Sequence, residues 1–297
     1  MQYSQLGTST LYISSIGFGC MSLPKYEKEA LSLLDHAIDL GINFFDTADI
    51  YDDGDNETAV GKAFKTKRDK AVIASKVGNQ RKPDGSLSWN PSPAHIISSV
   101  ESSLRRLQTD HIDLYQLHGG TIDDPIDATI DAFDTLVRQG KILYYGISSI
   151  RPNVIRQWVS RSSMVSVMMQ FSLLDRRPEE TCLELLHQNN IGVLARGSLD
   201  QGLLVDKSPA PYLGQGPETV GSAANAVGAL SGGERTGVQT AIQFVLHHPS
   251  ICSAVTGIRT LQQLEEAATT VDMDSLTIEE INILKDAIPA GKYTDHR

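Results

Sequence analysis

A closed (β/α)8 TIM barrel is what this sequence predicts, on three observations. Strand-like and amphipathic helical segments alternate strictly through eight units, the pattern of a parallel sheet with its helices outside. The chain has 297 residues, enough for the about 250 that such a barrel needs in one core. Three consecutive strands finish at Asp46, Lys76 and His118, and Tyr51 follows Asp46 in the next loop. In closed barrels the C-terminal strand ends share one face, so these four side chains can converge.

The elements follow in order. Tyr3 to Gln5 and Leu11 to Ile13 flank a Leu-Gly-Thr-Ser turn and predict an N-terminal β-hairpin. Ile16 to Met21 is the first barrel strand. Ala30, Leu33, Leu34, Ala37 and Ile38 then mark one face of a helix that stops at Gly41. Strand 43–46, helix 56–64 and strand 71–76 follow, and a polar segment, 78–93, leads to a helix with Ile96, Val100, Leu104 and Leu107 on one side. The second half repeats the scheme: strand 112–118, helix 125–138, strand 142–147, helix 153–159, strand 165–169, helix 179–188 and strand 191–195. Helix 236–247, strand 254–256 and helix 261–268 complete the eighth unit, and a C-terminal helix, 278–287, closes a single domain over residues 1–297. The stretch from about 200 to 235 is rich in Gly, Ser, Ala and Pro and reads as an irregular, mobile lid. A doubly wound sheet is the alternative, but Gly17-Phe-Gly19-Cys-Met-Ser22 lacks the third glycine of a dinucleotide fingerprint.

Composition narrows the function. Apolar residues make up 40% and charged residues 21%, with no apolar window long enough to span a bilayer and no secretory leader, which predicts a cytoplasmic protein and no membrane partner. A net charge of -10 argues against nucleic acid as a partner. Cys20, Cys182 and Cys252 are widely spaced and read as reduced thiols, with Cys20 more simply a small buried side chain than a pocket residue. The acidic run near Asp53 lacks ligands at calcium-loop positions and His247-His248 side chains diverge on a helix, so no metal site is expected. The sequence is silent on oligomeric state.

A phenol needs neighbours that tune it before it can serve as an acid near neutral pH, and a carboxylate, a cation and an imidazole are the groups gathered around Tyr51. Asp46-Thr-Ala-x-x-Tyr51, Lys76 and Tyr115-Gln-Leu-His118 resemble the catalytic tetrad of the aldo-keto reductases. Gly140-Lys-Ile-Leu-Tyr-Tyr-Gly-Ile-Ser148, Leu173-Leu-Asp-Arg176 and Gly257-Ile-Arg259 are similar to further blocks of that family, in the same order over residues 1 to about 288. The likeness is greatest to the bacterial branch related to potassium-channel β subunits. It implies an NADPH/NADP+ cofactor, a small-molecule carbonyl substrate, Tyr51 as proton donor with its pKa lowered by Lys76, Asp46 paired with Lys76, and His118 holding the carbonyl. An NADPH-binding redox sensor with slow turnover is the alternative this branch suggests, and a metal-dependent barrel hydrolase lacks its ligands.

The same resemblance implies a cofactor site along the strand ends. Gly19 and Met21, then Ser148 and Ser149, belong to it, and Met168 falls where the family commonly has a carboxamide-binding Gln. Arg196 replaces the usual stacking aromatic, which implies weaker binding of NADP+ than of NADPH because a cation sits beside a cationic ring. Ser198, Leu199, Gln201 and Gly202 lie in the strap over the cofactor. Gly257 and Arg259 meet the 2′-phosphate end, where a guanidinium suits phosphate, and Gln263 and Glu266 meet the adenosine. The substrate pocket is expected from the 78–93 loop with Trp89, from the 119–124 loop and from a tail too short to cover much of it.

Overall fold

The computed structural model describes residues 1–82, 84–233 and 235–297. Pro83 and Glu234, within the predicted 78–93 and 200–235 segments, lie outside the described residues. An antiparallel hairpin, β1 (Tyr3–Gln5) and β2 (Tyr12–Ser14), precedes the first barrel strand, β3 (Ile16–Gly19). Then come α1 (Glu27–Asp39), β4 (Phe44–Asp46), α2 (Asp55–Phe64) and β5 (Val72–Val77). A second hairpin, β6 (Asn79–Arg81) with β7 (Leu87–Trp89), leads to α3 (Pro93–Leu107), β8 (Ile112–Leu117) and α4 (Ile126–Arg138). The chain continues through β9 (Ile142–Ser148), α5 (Pro152–Arg161), β10 (Ser166–Gln170), α6 (Cys182–Gln188) and β11 (Gly192–Arg196). Last come α7 (Pro217–Ala229), α8 (Gly237–Leu246), β12 (Ile251–Gly257), α9 (Leu261–Thr269) and α10 (Ile278–Asp286).

Strands β3, β4, β5, β8, β9, β10, β11 and β12 pair in parallel in that order, and β12 pairs back with β3 to close the barrel. The predicted TIM barrel is therefore the observed fold, with its N-terminal hairpin. Inside it Phe44, Ala74, Leu114, Met168, Leu194 and Val255 form a buried apolar plug, and Leu6 and Ile13 of the hairpin region seal its lower end. The larger cluster lies between the strands and the surrounding helices, where Ile73, Val100, Leu104 and Phe133 are buried. Side chains alternate along each strand, so every second residue enters the barrel and the last of them stands at its upper rim.

Two elements differ from the expectation. The 200–235 segment is not irregular throughout: it contains the thirteen-residue helix α7, started by Pro217 at its first turn and buried along Val220, Ala223 and Val227. Its small residues hide the apolar stripe that still packs against the barrel. Cys20 and Met21, expected in the first strand, lie instead in a short 3-10 turn, Cys20–Ser22, with Cys20 fully buried and Met21 65% exposed.

Candidate active site

Asp46, at the end of β4, and Lys76, near the end of β5, form a buried ion pair with Nζ 2.6 Å from Oδ2. The Lys76 ammonium uses all three of its protons: it also donates to the Thr47 carbonyl at 2.7 Å and to the Tyr51 hydroxyl at 3.2 Å. Gln116 on β8 donates its amide to the other Asp46 oxygen at 3.3 Å. Burial alone would drive the Lys76 proton off, yet Asp46 and then Tyr51 outweigh it and hold its pKa above the ordinary value. Asp46 feels the same opposition: burial raises its carboxyl above the ordinary value and the Lys76 ammonium moderates the rise.

Tyr51 is presented by strained backbone. Thr47 donates to the Asn56 side chain at 2.6 Å and Asn56 to the Cys20 carbonyl at 2.7 Å, pinning the loop after β4 to the turn after β3. Directly after Tyr51 the chain reverses through Asp52, Asp53 and Gly54 at φ 45°, 57° and 94°, a left-handed run that costs non-glycine residues energy and drops the chain into α2. Lys76 pulls the Tyr51 pKa down, as expected, but does not decide where it lies. Burial raises it above the ordinary value and Lys76, half neutralised by Asp46, only moderates the rise, so the phenol stays protonated at neutral pH.

His118 stands just beyond β8, edge-on to the Tyr51 ring at 6.0 Å between centroids. Burial, with Lys76 and Arg196 nearby, depresses its pKa to about 3, so the imidazole is neutral. Its Nδ1 is buried without a partner among the described residues. The structure brings all four predicted residues together.

Of these groups His118 opens onto a cavity of about 560 Å³, lined also by Trp89, Gly119, Ser148, Ser149 and Arg196, among others. Trp89 both packs and lines: its ring covers Gly78, where an added Cβ would come within 2.6 Å of it, while its indole N–H donates to Asp124 at 2.9 Å. The tail covers more than expected. Tyr293, Thr294, Asp295 and His296 line the same cavity, held by Arg177 stacked over the Tyr293 ring and by Asn153 N–H donating to the His296 carbonyl at 2.8 Å.

Around the rim the predicted cofactor residues separate into three groups. Ser148 ends β9, Ser149 is buried with its N–H on the Met168 carbonyl at 2.9 Å, and Arg196 ends β11 with an exposed side chain. Met168 is a correction: its side chain is 2% exposed inside the apolar plug, below the rim. The inward residue at the rim is Gln170, two positions later on the same face. Its amide donates to the Tyr212 hydroxyl at 2.7 Å and its Oε1 lies 3.4 Å from Arg196 Nη1. Period-two counting from Met168 would have found it.

Between β12 and β3, Gly19 and Gly257 pair directly. A Cβ on Gly19 would lie 3.0 Å from the Thr256 carbonyl and one on Gly257 2.9 Å from the Ser22 hydroxyl, so neither position has room for a side chain and this stretch of rim is bare backbone, with Met21 exposed beside it. After β11, Ser198 is buried with its hydroxyl unpartnered among the described residues, Leu199 is half-buried, Gln201 takes φ 60° and Gly202 φ 90°. Arg259 is exposed, with no carboxylate within ion-pair distance among the described residues, while Gln263 turns back to accept from the Arg259 N–H at 3.0 Å and Glu266 is half-buried on α9. A bare glycine rim, an unpartnered buried hydroxyl and a free guanidinium together fit a dinucleotide phosphate.

Comparison with known proteins agrees with this geometry. The Aldo/keto reductase family matches residues 15–289. Over the full length of both chains the protein is 46% identical to the uncharacterised oxidoreductase YqkF of Bacillus subtilis (strain 168). It is 34% identical, over 70% of this chain and 64% of the other, to the aldo-keto reductase yakc [NADP(+)] of Schizosaccharomyces pombe. Its fold superposes on the holo form of aldo-keto reductase AKR11C1 from Bacillus halodurans with a TM-score of 0.94 at 44% identity, covering 100% of this chain and 99% of that one. The likeness to the apo form of that enzyme is lower, at 0.87. With the barrel, the four converging groups and the matched residues in agreement, this chain belongs to the aldo/keto reductase family of oxidoreductases.

Proposed function

We propose that the protein is an NADPH-dependent reductase of aldehydes or ketones in which Tyr51 is the general acid. The observation that carries this reading is the chain of contacts Asp46, Lys76, Tyr51 at 2.6 and 3.2 Å, with Tyr51 faced by His118, a neutral imidazole that lines the cavity. Lys76 donates to the Tyr51 oxygen, so the phenolic proton is free to point into the cavity toward a carbonyl oxygen. As that proton leaves, the ammonium 3.2 Å away stabilises the phenolate left behind. Asp46 keeps Lys76 charged and in place. His118, being neutral, hydrogen-bonds to the carbonyl without adding a competing charge.

When bound, NADPH supplies the hydride that reaches the carbonyl carbon. Ser148, Ser149 and Gln170 would hold its carboxamide, and Arg196 would lie against the nicotinamide. Ser198, Leu199, Gln201 and Gly202, with the Gly19 and Gly257 rim, would cradle the pyrophosphate. Arg259 would take the 2′-phosphate, with Gln263 and Glu266 beside the adenosine. The NADP(+) in the name of the fission-yeast relative and the greater likeness to a holo structure than to its apo form support this reading.

The test is NADPH oxidation with a panel of small aldehydes, run beside NADPH binding. Turnover of aldehydes supports the reductase. Tight NADPH binding with no useful turnover on any of them would sink it and favour a redox sensor.

A further inference from the structure

We infer that the carbonyl substrate carries a carboxylate, which Arg151 binds. This rests on the carbonyl-reductase reading of the cavity and specifies what enters it. The chain as a whole is at -10, yet among the described residues three arginines and a single carboxylate, Asp295, line this cavity. Two of the arginines are accounted for. Arg177 is held by both oxygens of Asp175, at 2.7 and 2.8 Å, and lies over the Tyr293 ring. Arg196, at the end of β11, shares Gln170 on the cofactor side.

Arg151 is the remaining one. It belongs to the turn after β9, where its N–H donates to the Ser149 hydroxyl at 3.2 Å, and Pro152 behind it confines its backbone to the extended region, φ -103° and ψ 108°. One Nη donates to the Gly120 carbonyl, which fixes the guanidinium against the 119–124 loop. Among the described residues no carboxylate comes within ion-pair distance of it, and its Nε and other Nη have no acceptor, though it is half-buried and faces the cavity.

A half-buried guanidinium with an empty donor edge is matched by a planar carboxylate, which takes two parallel N–H bonds from it. A neutral aldehyde would leave that edge unused. One excess positive charge suits a monoanion better than a phosphate. The tail forms the facing wall, since the His296 carbonyl takes the Asn153 N–H at the start of α5, and Trp89 and His118 line the same space for the chain and the carbonyl of the substrate. An aldehyde acid would thus lie with its carboxylate at Arg151 and its carbonyl at Tyr51 and His118.

The experiment has two arms, both at saturating NADPH so that the cofactor's own phosphates do not occupy Arg151. In the first, kcat/KM is measured for a series of ω-carboxy aldehydes of increasing length and for their methyl esters. We expect the best acid to exceed its ester at least tenfold, and Arg151→Met to reduce that ratio at least tenfold, mainly through KM, with Arg151→Lys intermediate. In the second, calorimetry follows binding of a short dicarboxylate and of its dimethyl ester, which needs no turnover, and circular dichroism confirms that each variant is folded. Equal binding of dicarboxylate and diester, or an acid-to-ester ratio unchanged in folded Arg151→Met, overturns the inference. Arg151-dependent dicarboxylate binding without reduction of any aldehyde would uphold the anion site and count against the reductase reading instead.

Discussion

Lys76 and Asp46 meet at 2.6 Å with both side chains buried, so each is the other's only counter-charge inside the barrel among the described residues. Two charges removed from water depend on each other, and deleting one strands its partner.

Lys76→Met should therefore lose stability as well as activity. The expected cost is about 3–5 kcal/mol, since the Asp46 carboxylate is left buried and unpaired. Adding Asp46→Asn should recover part of that loss, a coupling readable from urea unfolding of the single and double variants. Strictly additive losses would mean that the pair is not coupled.

Gln170, and not Met168, is expected to matter for the cofactor. Gln170→Ala should weaken NADPH binding about tenfold, the worth of roughly one or two hydrogen bonds. Tyr212→Phe, which removes the phenol that holds the Gln170 amide, should act in the same direction and less strongly. Met168→Leu, a near-isosteric change within the apolar plug, should leave binding within about twofold. Fluorescence titration of NADPH against the three variants decides the matter, and a larger effect at Met168 than at Gln170 would reverse the assignment.

The contrast between these two residues shows what the sequence discloses. The eight units and the four converging groups were readable because strand and helix periods alternate cleanly and because strand ends are places where chemistry concentrates. Gln170 was obscured by alignment on the Leu173-Leu-Asp-Arg176 block, which sets Met168 in the glutamine's usual place. The side chain's depth in the barrel decides what it can reach, and Met168 is one layer too low. Helix α7 was hidden by its Gly, Ala and Ser content, although Pro217 and the spacing of Val220, Ala223 and Val227 were there to be read. The β6/β7 hairpin carries little signal because its strands are three residues each and β6 is wholly polar, and Trp89 covers two glycines in place of a longer alternating pattern. The net rise of the Tyr51 pKa follows from burial, which no motif reports.

A pH effect on stability is expected from Asp200, at the root of the segment that leads to α7. It is fully buried, accepts from the Ser172 hydroxyl at 2.7 Å, and burial, opposed by Ser172 and the Leu174 N–H and reinforced by Asp175, pushes its pKa up to about 7. A carboxyl whose folded pKa is raised binds its proton more tightly folded than unfolded. Its stabilising contribution is full below the unfolded value of about 4 and is lost as pH rises toward 7. Asp200→Asn, an isostere of the protonated form, should nearly match the natural protein near pH 4 and exceed it near pH 8 by on the order of 4 kcal/mol. Urea unfolding at both pH values reads the difference; a variant less stable at pH 8 would show that the ionised carboxylate is accommodated after all.

The central claim is that Tyr51 gives its proton to the substrate, and the most direct test is Tyr51→Phe, which removes one oxygen and leaves the ring against His118. Aldehyde-dependent NADPH oxidation and NADPH affinity are measured on the same preparations. The account predicts a loss of at least about 100-fold in kcat with NADPH affinity within about twofold of the natural protein. A variant that keeps most of its kcat would contradict it.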